Sequence, residues 1–342
     1  MNRKSIIVAG TLLIAGLAGQ AAQAHNWGCW IQTDRNVKIR NASGGTQAAN
    51  AINDWNNMTI LNITSVSSGE EIYVFNANSG ATGWGGLASI TNYSGCNILR
   101  ATAQVNTYYY SGSSLSARGV HCQEIGHGFG LDHSNDGGCM GAGYWYSVSS
   151  AYTPVSHNVN DIATKYASRI VDTPTHSEHE GEPLRFHAYW VNNPRSLRET
   201  TRLASNIVVA TVTDVAAGAD IVNRQKDGYV SRIPTQRVSF TIDRSRKGEM
   251  VEGESFVLFQ NGNDHNRFDE DPSYKVGTRY LLFLTERADG THLVVAPSGR
   301  FELTAKGLVP AAKVGFAKEL AGARLQDVMS DLTQALAQVD AE

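Results

Sequence analysis

The run from Gln123 to Met140 constrains this chain more than any other stretch: Gln-Glu-Ile-Gly-His-Gly-Phe-Gly-Leu-Asp-His-Ser-Asn-Asp-Gly-Gly-Cys-Met. On a helix of 3.6 residues per turn, positions four apart share a face, so Gln123 and His127 can converge on one ion. Glu124, beside the first of them, can lean over an ion-bound water and take its proton. Gly130 is the natural end of the helix, because glycine adopts the left-handed cap conformation at little cost. The reversed chain then returns His133 toward the same point. Three protein ligands with a fourth position left to water are the donor arrangement of a catalytic zinc site.

Glu124, His127, Gly130, His133 and Met140 fall in register with H-E-x-x-H-x-x-G-x-x-H followed by a methionine turn. The run therefore resembles the metzincin superfamily of zinc endopeptidases, in its matrixin-like branch; Gly-Leu-Asp-His-Ser at residues 130–134 is similar to that branch. The resemblance covers about residues 25–168 and is specific at 120–140. It implies an α+β fold: a metzincin-like domain with a twisted mixed sheet and an active-site helix. It also implies Zn2+ as cofactor, Glu124 as general base, His127 and His133 as metal ligands, Gln123 in the first ligand position and Met140 beneath the metal. The activity implied is hydrolysis of a protein or peptide substrate by metal-activated water. Gly86, Leu87 and Ala88 resemble the matrixin edge strand that pairs with an extended substrate; an ordinary edge strand is the alternative. The sequence departs from the family in two further places. Ala142 stands where astacin-like relatives place a tyrosine, and no proline-containing wall follows Met140. Tyr144, Trp145 and Tyr146 are expected to form that wall, with Tyr144 against substrate.

Gln123 occupies the place of the first histidine, and three readings follow. Its amide oxygen binds the metal; or His121 supplies the nitrogen, which needs a break in the helix because the two histidines lie about 240° apart around it; or the site is degenerate. The third reading makes the chain a non-catalytic binding protein on a metalloprotease scaffold. Glu124 argues against that, since a scaffold needs no base. No His-x-Asp cluster precedes His121, so the second, structural zinc of many matrixins is not expected.

The N-terminus reads as a secretory signal over residues 1–24: Arg3 and Lys4, an apolar stretch from Ile6 to Leu17, then Ala22-Gln23-Ala24. Cleavage there would start the mature chain at His25. A terminal histidine also suggests a copper brace; a solvent-facing terminus is the plainer reading. No later apolar run is long enough to span a bilayer, so an exported protein, periplasmic or secreted, is expected. Four cysteines in an exported chain read as two disulfides. Three connectivities are open, with Cys29–Cys96 and Cys122–Cys139 expected. Cys29 lies too close to the cleavage site to serve as the inhibitory cysteine of a propeptide. A net charge of −3 without a basic stripe argues against nucleic acid as partner.

A chain of 342 residues with all its cysteines before residue 140 reads as two domains. The first, 25–168, has a helix near Gln47–Asn56, strands at Ile72–Phe75 and Gln104–Asn106, and a closing helix around Asp161–Tyr166. A polar, proline-containing linker is expected over 169–195. The second domain, 196–342, alternates apolar and polar residues at 207–212, 237–242, 255–259, 280–284 and 293–296, which predicts strands. It resembles, weakly, small OB-like barrels such as netrin-like modules, and closes with an amphipathic helix over 313–339. Its partner cannot be read from the sequence. The acidic run Asp264–Asp271 reads as a loop before a calcium site.

Overall fold

The computed structural model describes residues 25–141, 149–169, 184–312 and 315–339. The expected signal segment and Tyr144, Trp145 and Tyr146 lie outside these residues. The chain is mixed α and β, with 24% helix and 38% strand. Its first part runs β1 (Ile31–Gln32), β2 (Asn36–Asn41), α1 (Thr46–Met58), β3 (Asn62–Ser65), β4 (Ile72–Ala77), β5 (Trp84–Ser94), β6 (Asn97–Asn106), α2 (Leu115–Gly128), α3 (Ser156–Lys165) and β7 (Arg185–Trp190). The second runs α4 (Leu197–Leu203), β8 (Asn206–Ala217), β9 (Ile221–Arg224), β10 (Val230–Ile233), β11 (Thr235–Lys247), β12 (Ser255–Asn261), β13 (Arg267–Phe268), β14 (Arg279–Glu286), β15 (His292–Val294), β16 (Arg300–Thr304), β17 (Gly307–Pro310), α5 (Gly315–Glu319) and α6 (Leu325–Val339).

The first sheet has the order β13-β7-β5-β6-β4-β2-β3, with β1 alongside β6. Its strands β3, β2, β4 and β6 are parallel, and β5 turns back antiparallel to β6. α1 and α2 share one core with this sheet. Ala48, Ala51, Ile52 and Trp55 of α1 pack with Ile125 and Phe129 and with Val37, Ile39 and Val74. That α1 stripe is the helical period legible in the sequence. Trp55 also donates its indole N–H to the Cys122 carbonyl at 2.8 Å, which satisfies its one polar atom inside the core. Two disulfides, Cys29–Cys96 and Cys122–Cys139, have the expected pairing.

The structure differs from the expected domain plan at one strand. Arg185–Trp190 falls within the stretch read as linker, yet it forms β7 and pairs antiparallel with β5. Its run Phe-His-Ala-Tyr-Trp is rich in aromatics, a strand composition that the polar residues before it concealed. Phe186 and Ala188 pack with Trp84, Leu87, Ile233 and Phe268, a cluster drawn from both halves of the chain. Asn261 adds polar ties across the same seam, accepting from Trp84 Nε1 at 3.2 Å and donating to the Thr82 carbonyl at 2.9 Å.

The second half is a closed five-stranded barrel. β12, β11, β8 and β14 lie side by side, and short β15 pairs with both β12 and β14 to close the ring. Period-two alternation sorts its residues. Val208, Ala210 and Val212 fill one cluster with Val238, Phe240 and Leu282. Ile207 and Val209 face a second cluster, where Val328, Met329 and Leu332 of α6 cover Leu281, Phe283 and Phe301. The closing helix is broken rather than continuous: Gly322 takes φ +79° between α5 and α6. No helix among the described residues is long and apolar enough to cross a membrane.

Candidate metal centre

Helix α2 begins where Ser114 accepts a hydrogen bond from the Ala117 amide at 3.1 Å, a side-chain N-cap. It ends at Gly128, and the chain reverses at Gly130, which has φ +83°. A Cβ there would lie 1.9 Å from the Trp30 carbonyl oxygen, so both backbone and space demand glycine. The Leu131 amide bonds back to the Gly126 carbonyl at 3.1 Å, and the reversal carries His133 toward His127. Met140 lies under the same helix turn: a Cβ on Gly126 would meet its sulfur at 2.3 Å. Cys122–Cys139 ties that turn to α2.

His127 and His133 come together as the sequence spacing implies, and a third imidazole joins them from β7. One ring nitrogen from each of His127, His133 and His187 lies within 4.8 Å of the others. Their ring centroids are 4.0 Å apart for His127–His187, 4.4 Å for His133–His187 and 4.9 Å for His127–His133. The Leu131 carbonyl is 2.8 Å from His127 Nδ1. Holding the proton there leaves Nε2 with a free lone pair. His187 Nε2 is 2.8 Å from Asp132 Oδ1, and its Nδ1 is in contact with Glu270. Trp27 closes one side, its ring 5.1 Å from that of His187, and donates to Asp269 at 2.6 Å.

Gln123 is fully buried and lines the same cavity as His133 and His187. Its amide nitrogen reaches the Gly141 carbonyl only at 3.5 Å, and its oxygen has no hydrogen-bond partner. His121 is also fully buried, with both nitrogens unpartnered, but it is not part of the three-histidine cluster. The cavity, about 340 Å³, is further lined by Trp27, Asp132, Tyr189, Glu270 and Pro297.

Protonation states suit metal binding. Burial pushes His127 well below the ordinary histidine range, and neighbouring His187 and His133 push it further. Burial likewise lowers His133 to about 3, helped by His187 and opposed by Asp132. Both rings are therefore neutral at neutral pH, as ligands must be. Burial raises Asp132, but its hydrogen bond to His187 and the nearby histidines outweigh that and hold it below its usual value. Glu124 is raised well above a normal carboxylate by burial, against the pull of the Ala88 and Tyr189 amides.

Glu124 presses on β5: a Cβ on Gly86 would lie 2.3 Å from Glu124 Oε1 and 2.3 Å from Val120 Cγ1. Gly86, Leu87 and Ala88, read as a substrate-pairing edge, face Tyr189, Ala188 and His187 of β7 in register. That edge is occupied by the chain itself, because β7 takes its ladder positions.

His187 and Glu270 were not legible as site residues. The first lies in a presumed linker, and the second in an acidic run read as a loop. In the fold the last three residues of that run have partners: Asp269 with Trp27, Glu270 with His187, Asp271 with Arg300. No protein-family model matches the chain, and no curated protein matches it in sequence.

Proposed function

We propose that the chain is an exported zinc-dependent endopeptidase of metzincin-like type, with Glu124 as its general base. The observation that carries this reading is the convergence of the imidazoles of His127, His133 and His187, with Glu124 buried on the same helix as His127. The residues fit a zinc ion on their own chemistry. His127 Nε2 and His133 Nε2 are buried and have no hydrogen-bond partner. Such atoms cost about 1–3 kcal/mol each if left unsatisfied, and imidazole nitrogens are first-choice zinc donors. His127, His133 and His187 would hold the ion, the Leu131 carbonyl orienting His127 and His187 giving up one of its two carboxylate contacts, to Asp132 or to Glu270. A zinc ion bound there supplies Lewis acidity and makes water nucleophilic near neutral pH. Glu124, with its raised proton affinity, takes the proton from the attacking water and delivers it to the leaving amine. Two disulfides fit the oxidising compartment that export implies.

A second reading, a non-catalytic binding protein on this scaffold, draws support from β7. While it lies on β5, a peptide cannot pair with Gly86, Leu87 and Ala88, and Glu124 is fully buried. Under the peptidase reading the substrate must displace β7 or enter through the cavity beside Gln123.

Replacing Glu124 by Gln keeps shape and removes the base. With zinc content matched to wild type, hydrolysis of unfolded protein should fall about 10²–10⁴-fold. Equal rates in the two proteins would locate the activity elsewhere. A fully zinc-loaded wild type that cleaves nothing would leave the binding reading standing.

A further inference from the structure

A second group of metal-ligating side chains lies outside the centre already described. His25, Asp136 and His157 each offer one donor atom, all within 4.8 Å of one another. They come from three separate stretches: the N-terminal segment, the loop that follows His133, and helix α3. His157 Nε2 is 3.2 Å from Asp136 Oδ2 and 3.2 Å from Asp161 Oδ2. His25 Nε2 is 3.5 Å from Asp136 Oδ2, and its backbone nitrogen is 3.4 Å from Asp161 Oδ2. The Asp161 side chain is only 6% exposed. A carboxylate so buried needs hydrogen bonds and positive charge around it, and the His25 nitrogen supplies only part of that, at 3.4 Å. Lys165, one turn further along α3, donates to Asn26 at 2.9 Å and also interacts electrostatically with Asp161. His157 Nε2 is buried and, despite two carboxylates at 3.2 Å, has no hydrogen-bond partner. An imidazole nitrogen that faces two carboxylate oxygens without a hydrogen bond to either is free to act as a co-ligand with them.

We infer that His25, Asp136 and His157, backed by Asp161, form a second site for a divalent transition-metal ion. Two imidazoles and one or two carboxylates make an N2O or N2O2 set, suited to zinc rather than to calcium or magnesium, which prefer all-oxygen shells. The site staples three segments. The N-terminal strip already bonds to the His133 loop through Asp132 N to His25 O at 2.8 Å and Trp27 N to Gly130 O at 2.9 Å. An ion there fixes that loop to α3 at Asp136, three residues beyond His133. The inference does not rest on catalytic activity, and the rival arrangement is a plain network of contacts among these histidines and aspartates with no metal.

Zinc stoichiometry separates the two. The full chain is stripped with chelator, reloaded with Zn2+, desalted and analysed for metal. About two zinc ions per chain are expected in wild type, and about one in His157→Ala. The double variant His127→Ala/His133→Ala, which disables the first centre, should keep about one and lose it when His157→Ala is added. Asp136 is half exposed, so Asp136→Asn should leave folding intact. In the double-variant background it should abolish the rise in melting temperature that zinc produces. A double variant that holds no zinc and gains no thermal stability from it would overturn the site. So would a zinc count and a zinc-induced melting shift that neither His157→Ala nor Asp136→Asn alters.

Discussion

At the scale of single residues, the centre turns on which side chain stands third beside His127 and His133. Its ring nitrogen puts His187 within 4.8 Å of the other two donors, whereas Gln123 offers a neutral amide oxygen. Imidazole is the better zinc donor. His187→Ala should therefore weaken zinc at the first centre at least tenfold, and Gln123→Ala should change it far less. Competition against a zinc chelator reads both, and the reverse order would restore Gln123 to the ligand set. His121 gives a second prediction. Burial lowers it to about 3 from 6.5. Between those values the unfolded chain holds a proton that the folded chain does not. Its contribution to stability is thus present above pH 6.5 and is lost as pH falls toward 3. The slope is about 1.4 kcal/mol per pH unit for one such group. Denaturant titrations in excess chelator should show His121→Leu with a pH slope shallower than wild type by about that amount. Parallel slopes would mean that the ring is charged or solvated in the fold.

At the scale of elements, α2 is the part most readable from sequence, and β5 is the part it misplaced. The spacing of Glu124, His127, Gly130 and His133 is local, so helical geometry and one left-handed glycine suffice to determine it. Whether β5 has a free edge depends on a strand some hundred residues later, and no periodicity in β5 reveals that. Contact between the two elements is close at Gly86, where any side chain would strike Glu124 and Val120. Gly86→Ala should cost about 1–3 kcal/mol through overpacking, seen as a lower melting temperature. An unchanged melting temperature would show that α2 and β5 can separate freely.

At the scale of the whole molecule, the second half holds part of the centre. Glu270 meets His187 from a loop whose next residue, Asp271, is paired with Arg300 at 2.8 Å. Arg300 is 2% exposed, stacks 3.4 Å over the Tyr274 ring and donates to the Pro272 carbonyl as well. Burial raises Asp271 even with Arg300 opposing it, the mark of a pair that is expensive to desolvate. Removing one partner leaves a buried charge, so Arg300→Met should destabilise by about 3–5 kcal/mol, and adding Asp271→Leu should recover much of it. Chemical denaturation of Arg300→Met, of Asp271→Leu and of the double variant tests this; a fully additive double variant would mean that the two groups do not interact.

The sequence by itself determined what is short-range. Helix α2 and its stop, the face shared by Gln123 and His127, the α1 stripe ending in Trp55, and the alternating barrel strands all follow from periods of 3.6 and 2 and from glycine at Gly130. The two disulfide pairings also fell out as expected, because four cysteines leave few choices. Tertiary structure alone decided the rest. His187 reaches His127 only because β7 docks on β5, driven by the burial of Phe186 and Ala188 against Trp84 and Phe268. Glu270 meets His187 only because Arg300 anchors the loop beside it, and His25, Asp136 and His157 meet only where the N-terminal strip crosses α3. Contacts between residues tens to more than a hundred positions apart are set by which apolar faces can be buried together. That is a property of the assembled core, and no local pattern carries it.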